Sequence, residues 1–188
     1  MRIVGGKFRG KKLIAPEGKD LRPTSDRARE SIFNILAHGK AAMNLDGITV
    51  LDMFCGTGAL GLEAMSRGAV FGVFADRNPA HLRYAKDNAG AMGYWRECLM
   101  LGLDCAHLAV PPRAAKTPAQ LAFLDPPYGQ GLADPALRGL VNRNWLTPDA
   151  TVVVEVGTDE DLKGARGFDV LDERTYGAAK VYFLKRSE

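Results

Sequence analysis

The chain has few of the residues that build disulfide frameworks or metal centres. Its 188 residues include three cysteines, Cys55, Cys98 and Cys105, and none of them forms a C-x-x-C pair. Three histidines, at positions 38, 81 and 107, form no pair with helical ligand spacing. We therefore expect no disulfide, no metal and no ligand role for the histidines. Because no histidine lies near Cys55 in sequence, we do not expect that thiol to act as a nucleophile.

The sequence also lacks an apolar run long enough to span a membrane, and its first thirty residues are basic and glycine-rich. Hydrophobic residues make up 46% of the chain, which is enough for a sizeable core. These features predict one soluble, cytoplasmic domain with a small appendage and no membrane partner. A monomer is the default expectation.

Charge is unevenly distributed although the net charge is only +3. Residues 1–30 carry nine basic and four acidic side chains, whereas the remaining 158 residues carry 16 basic and 18 acidic ones. A basic end on a near-neutral domain indicates a polyanionic partner, most simply a nucleic acid, and a solvated terminal segment is the alternative. The candidates for contacts with RNA phosphates are Arg9, Lys11, Lys12 and Arg22.

We predict that residues 1–40 form this basic extension and that residues 41–188 form the main domain. Short apolar pieces separated by glycine turns predict a small β-hairpin with the basic side chains near its tip. A helix should follow, with Thr24 or Ser25 as its N-cap and Gly39 at its end. Its apolar face should dock on the main sheet.

From Thr49 onward, apolar strands alternate with amphipathic helices. The predicted strands are 49–54, 70–75, 98–103, 121–124, 151–156, 168–171 and 181–184, and the predicted helices are 59–67, 79–92 and 135–146. Repeated β-α units predict a parallel, Rossmann-like sheet with right-handed crossovers. The last two strands should pair antiparallel around Tyr176-Gly177, which distinguishes the methyltransferase variant from the ordinary dinucleotide fold.

The chain is organised around residues 49–61, where a buried strand runs into a glycine-rich turn and then a helix. Glycines at Gly56, Gly58 and Gly61 would let the backbone approach a nucleotide-like ligand closely. This spacing also fits the dinucleotide fingerprint, and a tight turn without a ligand is a further alternative. However, the carboxylate of Asp52 would repel a pyrophosphate and attract an ammonium group such as that of S-adenosylmethionine.

Three aspartates end successive predicted strands, namely Asp52, Asp76 and Asp104. Open α/β sheets bind ligands outside these carboxyl ends, at the point where the strand order reverses. Asp76 lies 24 residues after Asp52, which is close to the interval expected for a carboxylate that accepts both ribose hydroxyls. Asp104 could accept from an adenine amine. A lone aspartate at such a place is usually a turn-former, but three beside a glycine turn favour a binding site.

The sequence Asp125-Pro126-Pro127-Tyr128 follows the fourth predicted strand. The amino group of a base is a poor nucleophile because its lone pair is delocalised into the ring. Two acceptors, the Asp125 carboxylate and the Pro126 carbonyl, could hold its N–H bonds and favour a tetrahedral nitrogen. The prolines fix φ, and Tyr128 offers a face on which an extruded base can stack. A Pro-Pro turn without function is the alternative.

Several motifs together resemble the RsmD family of bacterial 16S rRNA guanine-N2 methyltransferases, and the resemblance runs through nearly the whole chain. They are MRIVGGKFRG at the N-terminus, RPTSDR from Arg22, RESIFNIL from Arg29, LDMFCGTGALGLEA from Leu51, DPPY from Asp125 and the late Tyr176-Gly177. The resemblance implies a class I S-adenosylmethionine-dependent methyltransferase with a seven-stranded, mostly parallel sheet and an antiparallel last strand. It also implies 16S rRNA in a pre-assembled small ribosomal subunit as substrate, and guanine 966 as target.

The resemblance further implies a role for each motif residue. Asp52, Gly56 and Gly58 would surround the methionine end of the cofactor, Asp76 would hold the ribose, Asp104 would lie near the adenine, and Asp125 to Tyr128 would meet the target amine. Phe54, Cys55, Thr57 and Arg77 would complete the cofactor site. The chain departs from the family at Asp76, where glutamate is usual, and at Ala178-Ala179, where Asp-Thr is common.

Other functions are considered beside this one. A DNA or RNA adenine-N6 methyltransferase shares the Asp-Pro-Pro-Tyr motif, although no DNA-specificity domain fits in 188 residues. A protein-amide methyltransferase is a related alternative. A non-catalytic RNA-binding assembly factor is opposed by the intact motifs, and an NAD-dependent oxidoreductase is opposed by Asp52.

Overall fold

The computed structural model describes residues 1–16, 25–162 and 166–187. The helices are α1 (Asp26–His38), α2 (Ala59–Ser66), α3 (Pro79–Ala91) and α4 (Ala133–Asn142), and short 3-10 turns span Gly6–Phe8 and Arg113–Ala115. The strands are β1 (Thr49–Met53), β2 (Phe71–Asp76), β3 (Cys98–Gly102), β4 (Ala119–Leu124), β5 (Leu146–Gly157), β6 (Phe168–Tyr176) and β7 (Ala179–Arg186). Within the described ranges, no helix is long and apolar enough to cross a bilayer.

The seven strands form one sheet in the order β3-β2-β1-β4-β5-β7-β6. Strands β1 to β5 pair in parallel, whereas β7 lies antiparallel between β5 and β6. The predicted seven-stranded sheet with an inserted antiparallel last strand is therefore confirmed. Strand order reverses between β1 and β4, so the crevice for a ligand is expected outside the carboxyl ends of these two strands.

Side chains alternate between the two faces of the buried strands, and each face has its own core. On one face, Val50 and Phe74 pack with residues of α1, α2 and α3. On the other face, Leu51 and Met53 pack with residues of α4 and with Trp145. Helices thus cover both sides of the sheet and leave its carboxyl edge for the site.

Helix α1 begins where the capping pattern predicts, because the Ser25 hydroxyl accepts from the Ala28 N–H at 3.1 Å. Thr24, the other predicted cap, lies outside the described residues. Ala28, Ile32 and Leu36 are buried as predicted. Gly39 caps the C-terminus. The Phe33 ring packs against Phe123 of β4 at a centroid distance of 5.5 Å, so the predicted docking of this helix on the sheet is confirmed.

The prediction of a helix over 135–146 is wrong at its C-terminal end. Helix α4 ends at Asn142, and Leu146 already belongs to β5. Asn144 adopts a left-handed conformation with φ of 59°, and the Trp145 N–H donates to the Leu140 carbonyl at 3.1 Å. A left-handed residue followed by such a bond ends helices, and asparagine tolerates it better than most residues.

The N-terminal segment is more closely joined to the main domain than a free hairpin would be. Within residues 1–16, the described part of this segment, strand pairing consists of one antiparallel bridge between Arg2 and Lys12. Ile3 is fully buried in the same core as α1 and α2. The Val4 N–H donates to the Glu63 carboxylate at 2.7 Å. The division of the chain at residue 40 stays a prediction.

One buried side chain, Asn88 on α3, ties the N-terminal segment to the glycine turn. Its amide oxygen accepts from the Ile14 N–H at 2.7 Å. Its amide nitrogen donates to the carbonyls of Ile14 at 2.9 Å and Thr57 at 3.0 Å. Asn88 is 1% exposed, and its bond to the Thr57 carbonyl is buried, so this bond is costly to lose.

We expect Asn88→Ala to lower the free energy of unfolding by about 2–4 kcal/mol, because the buried Thr57 carbonyl and two backbone groups of Ile14 would lose their partner. Urea titration would measure the change. The matched control is Asp87→Ala on the exposed face of the same helix, which should shift stability by less than about 0.5 kcal/mol. Equal effects of the two substitutions would contradict the bridging role of Asn88.

Candidate active site

Four aspartates line the carboxyl edge of the sheet in the order of its strands. Asp104 follows β3, Asp76 ends β2, Asp52 is the penultimate residue of β1, and Asp125 follows β4. The structure therefore brings together the aspartates that sequence spacing singles out. Asp52 and Asp125 belong to the two adjacent strands between which the strand order reverses, which is where open sheets bind ligands.

The glycine turn has a structural reason that its spacing alone does not reveal. Gly58 has a φ of 78° and precedes α2. A Cβ there would lie 3.1 Å from Ala85 and 3.2 Å from the Phe74 ring. At Gly61, a Cβ would lie 2.6 Å from the Phe74 ring. These two glycines allow α2 to pack closely on the sheet, and the expectation that Gly58 also lies against a ligand stays a prediction.

The N–H groups around the turn are already bonded to carboxylates. The Gly61 N–H donates to Asp52 at 2.8 Å, and the Gly56 N–H donates to Asp76 at 3.1 Å. In a dinucleotide site such groups would face a pyrophosphate. Here two buried carboxyl groups already accept from these N–H groups, which are therefore not available to a pyrophosphate. The carboxyl oxygens of Asp52 and Asp76 are acceptors, and they fit a ligand that presents a cation and hydroxyl groups.

Asp52 has the most perturbed carboxyl group of the site. Its side chain is almost fully buried, and this desolvation raises its pKa to about 8. The nearby Asp76 raises the pKa further, whereas the bond from the Gly61 N–H lowers it. A ligand cation beside Asp52 would favour the ionised form, so binding and deprotonation are coupled.

Asp76 and Asp104 each bond a histidine that sequence reasoning assigned no role. The Nδ1 atom of His81 lies 3.0 Å from Asp76, and Nδ1 of His107 lies 2.8 Å from Asp104. The bond with His107 is the main cause that lowers the pKa of the exposed Asp104 carboxyl. The contact between His81 and Asp76 could have been expected from their spacing, because His81 follows Asp76 by five residues and lies in the first turn of α3.

The other predicted cofactor residues lie in or beside the turn, with different exposure. Phe54 is half-buried and has a φ of 61°, while Arg77 is exposed. Cys55 is buried, and this burial raises the pKa of its thiol well above the ordinary value, which disfavours a nucleophilic thiolate. Thr57 is also buried, and its hydroxyl lies 3.5 Å from the Met1 sulfur.

The loop after β4 combines a buried Pro126 with an exposed Pro127. The Asp125 N–H donates to the Met53 carbonyl at 3.4 Å, so the loop starts beside the end of β1. The Tyr128 hydroxyl donates to Glu155 on β5. Sequence reasoning missed this glutamate because it lies inside an apolar strand, 27 residues from its partner.

The predicted RNA contacts are only partly located. Arg9, Lys11 and Lys12 are exposed on the N-terminal segment, and Arg22 lies outside the described residues. Among its described residues, the N-terminal extension is joined to the glycine turn by Asn88, which bonds both Ile14 and Thr57. It also approaches the sheet edge through α1, where the Ser31 hydroxyl lies 2.6 Å from that of Tyr176. Over the described ranges, no three metal-ligating side chains cluster closely enough to hold an ion.

Comparison with known sequences gives matches over almost the whole chain. Residues 1–185 match the family model described as conserved hypothetical protein 95. The chain is 34% identical over 162 residues to ribosomal RNA small subunit methyltransferase D of Escherichia coli (strain K12), covering 86% of this chain and 77% of that protein. It is 32% identical over 179 residues to the protein of the same name from Haemophilus influenzae, covering 94% and 89%.

Comparison with solved structures also gives methyltransferases. The structure of yhhF from Escherichia coli superposes with a TM-score of 0.82 and 26% identity, covering 100% of this chain and 98% of that one. The structural neighbours have the class I methyltransferase fold, in which β7 is inserted antiparallel as it is here.

Proposed function

Because this chain belongs to the RsmD family, whose model is described as conserved hypothetical protein 95, we propose that it is an rRNA methyltransferase that uses S-adenosylmethionine. The acceptor in this proposal is the exocyclic N2 amine of a guanine in 16S rRNA, of the guanine-966 type. The observation that carries it is the juxtaposition of a buried carboxylate, Asp52, with the Asp125 loop on adjacent strands.

The cofactor site is proposed from the carboxyl groups along the carboxyl edge of the sheet. Asp52 attracts the ammonium group, Asp76 accepts from the ribose hydroxyls, and Asp104 lies on the side of the adenine. Phe54, Cys55, Gly56, Thr57, Gly58 and Arg77 complete the proposed site. When bound, S-adenosylmethionine supplies an electrophilic methyl group on a sulfonium.

The Asp125 loop prepares the acceptor amine. The carboxylate of Asp125 and the carbonyl of Pro126 accept from its two N–H bonds, which favours a tetrahedral nitrogen with an available lone pair. Tyr128 stacks on the extruded base. No covalent enzyme intermediate is needed, and the proton that leaves the nitrogen goes to Asp125 or to water.

A carboxylate at Asp125 favours guanine over adenine. Guanine presents an N1–H donor beside its amine, whereas adenine presents an acceptor there. A carboxylate accepts hydrogen bonds but cannot donate one when ionised. The proposed substrate is therefore a guanine of the small-subunit rRNA.

The related proteins from Escherichia coli and Haemophilus influenzae carry small-subunit rRNA in their names. We accordingly propose that the chain acts as a monomer in the cytoplasm on the small subunit, which it grips through its basic N-terminal segment.

The proposal is tested by incubating the protein with methyl-labelled S-adenosylmethionine and, separately, small subunits, naked rRNA, duplex DNA and bulk protein. Digestion to nucleosides should give label in N2-methylguanosine from the ribosomal samples alone. Label in N6-methyladenine would overturn the guanine assignment, and label in protein would overturn the rRNA assignment. Cofactor binding without transfer to any sample would favour an assembly factor.

The triple substitution of Arg9, Lys11 and Lys12 by alanine is expected to weaken RNA binding about tenfold or more and to flatten its salt dependence, because three phosphate contacts would be lost. Affinity for S-adenosylhomocysteine should stay unchanged. Filter binding at several salt concentrations would measure the first effect, and calorimetry the second.

The matched control removes Arg113, Arg138 and Arg143, which are exposed and belong to segments on the opposite face of the sheet. Their loss should leave the salt slope nearly as it was. If the two triple variants lost RNA affinity equally, general charge rather than the N-terminal segment would explain binding. A parallel fall in cofactor affinity would indicate a structural role for the segment.

A further inference from the structure

We propose that Glu155 and Glu160 are positioning residues that brace the Asp125–Tyr128 loop in the shape that receives the acceptor base. The inference rests on the proposed function of that loop. It extends it to two carboxylates on and just after β5, neither of which belongs to the sequence motif.

The loop needs a brace because its own backbone offers few points of attachment. Pro126 and Pro127 fix φ but carry no N–H, so neither can donate a backbone hydrogen bond that holds the loop. At the start of the loop, the Asp125 N–H bonds the Met53 carbonyl at the long distance of 3.4 Å. Contacts made after the prolines therefore add to what holds the loop in position.

Glu160 supplies a hydrogen bond to the loop backbone that is shorter than the one at Asp125. One of its carboxylate oxygens accepts from the Gly129 N–H at 2.7 Å and from the Gly157 N–H at 3.1 Å. Gly129 directly follows Tyr128, and Gly157 is the last residue of β5. A single side chain thus joins the end of the loop to the end of the neighbouring strand.

Glu155 holds the tyrosine from the other side. Its side chain belongs to β5 and is 7% exposed, a position where a carboxylate is costly unless it is bonded. The Tyr128 hydroxyl donates to it. Since the backbone after Tyr128 is bonded to Glu160 and its hydroxyl to Glu155, both ends of the ring are fixed.

Both braces lie away from the proposed cofactor carboxyl groups, which stand near the ends of β1 and β2 and after β3. Loss of a brace should therefore lower the rate of transfer without changing cofactor affinity. Misplacement of a reacting group by about 1 Å can cost on the order of 100-fold in rate. The expected signature is a fall in kcat at constant affinity for S-adenosylhomocysteine.

The test compares Glu160→Ala with Glu160→Gln in the full chain. Amide hydrogen exchange by NMR should speed up at Gly129 and Gly157 in the alanine variant, by about tenfold or more. Its kcat should fall roughly 10- to 100-fold. The glutamine variant keeps an oxygen that can accept both bonds and should restore most of the protection and rate. Asp159→Ala, an exposed neighbour, should change neither.

Glu155 is tested by a double-mutant cycle with Tyr128→Phe, which keeps the ring and removes the hydroxyl. If Glu155 acts through this hydroxyl, Glu155→Ala should lower kcat in the wild-type background and little further in the Tyr128→Phe background. Fully additive effects would overturn the assignment for Glu155.

Unchanged amide exchange at Gly129 in Glu160→Ala would overturn the brace even if the enzyme methylates rRNA. Conversely, exchange needs no substrate, so the brace can be verified even if the wild-type protein transfers methyl to none of the offered acceptors and the proposed function fails. Failure of the two proposals is thus distinguishable.

Discussion

Substitution of Asp125 by alanine is expected to reduce methyl transfer by about 1000-fold or more. The reason is that the acceptor amine would lose the carboxylate that holds its N–H bond and makes its lone pair available. Affinity for S-adenosylhomocysteine and for RNA should change by less than about threefold, since neither depends mainly on this group. Single-turnover transfer of labelled methyl measures the rate, and calorimetry and filter binding measure the affinities.

Two further variants sharpen this test. Asp149→Ala removes an exposed carboxylate near the opposite end of β5 and should leave the rate unchanged. Asp125→Asn keeps the shape but replaces one acceptor by a donor, which suits the N1–H of guanine poorly. Full activity of Asp125→Asn on guanine would contradict the proposed role of the carboxylate in choosing the base.

The sequence was sufficient to predict the sheet and the edge where the candidate site lies. Parallel β-α repeats place the carboxyl ends of all their strands at one edge, so Asp52, Asp76, Asp104 and Asp125 had to approach one another once the repeats were recognised. The antiparallel pairing of β6 and β7 followed from the short turn around Tyr176, whereas the insertion of β7 beside β5 was implied only by the family resemblance.

The supporting contacts could not be predicted, because they join residues far apart in sequence without any periodic pattern. Glu155 interrupts an apolar strand, but nothing in the sequence indicates its contact with Tyr128. Asn88 lies in a helix, and its position there does not indicate the residues that it bonds. The glycine spacing was recognised, but spacing alone does not show that the missing Cβ atoms at Gly58 and Gly61 also make room for the Phe74 ring.

The end of α4 could not be predicted from the sequence for a different reason. The apolar pattern continues past Asn142 into β5, so periodicity gives no boundary. The boundary depends on one left-handed residue, Asn144, whose weak preference for that conformation becomes decisive only when the next residue, Trp145, is buried against the sheet.

Asp52→Asn is expected to stabilise the protein without ligand at alkaline pH while it abolishes tight cofactor binding. The pKa of Asp52 is about 8 in the folded state, against an ordinary value of 3.8. The folded protein therefore holds this proton where the unfolded chain has released it, so the free energy of unfolding falls as pH rises from about 4 to about 8. The loss can reach the order of 5 kcal/mol, and urea unfolding of both variants at pH 5, 7 and 8.5 would measure it.

The same burial explains why the site would keep so costly a group. A ligand cation beside Asp52 favours its ionised form, so binding to the wild-type protein near pH 7 should release close to one proton. Calorimetry in buffers with different ionisation enthalpies would detect that release, and the asparagine variant serves as the reference because it cannot contribute it.

Affinity for S-adenosylhomocysteine should fall roughly 100-fold in Asp52→Asn, since a buried charge pair would lose one partner. Equal proton release by the two proteins, or equal pH dependence of their unfolding, would show that the buried carboxylate is not the group coupled to the ligand. The opposite changes in stability and affinity are the expected consequence of a carboxylate retained for a cation.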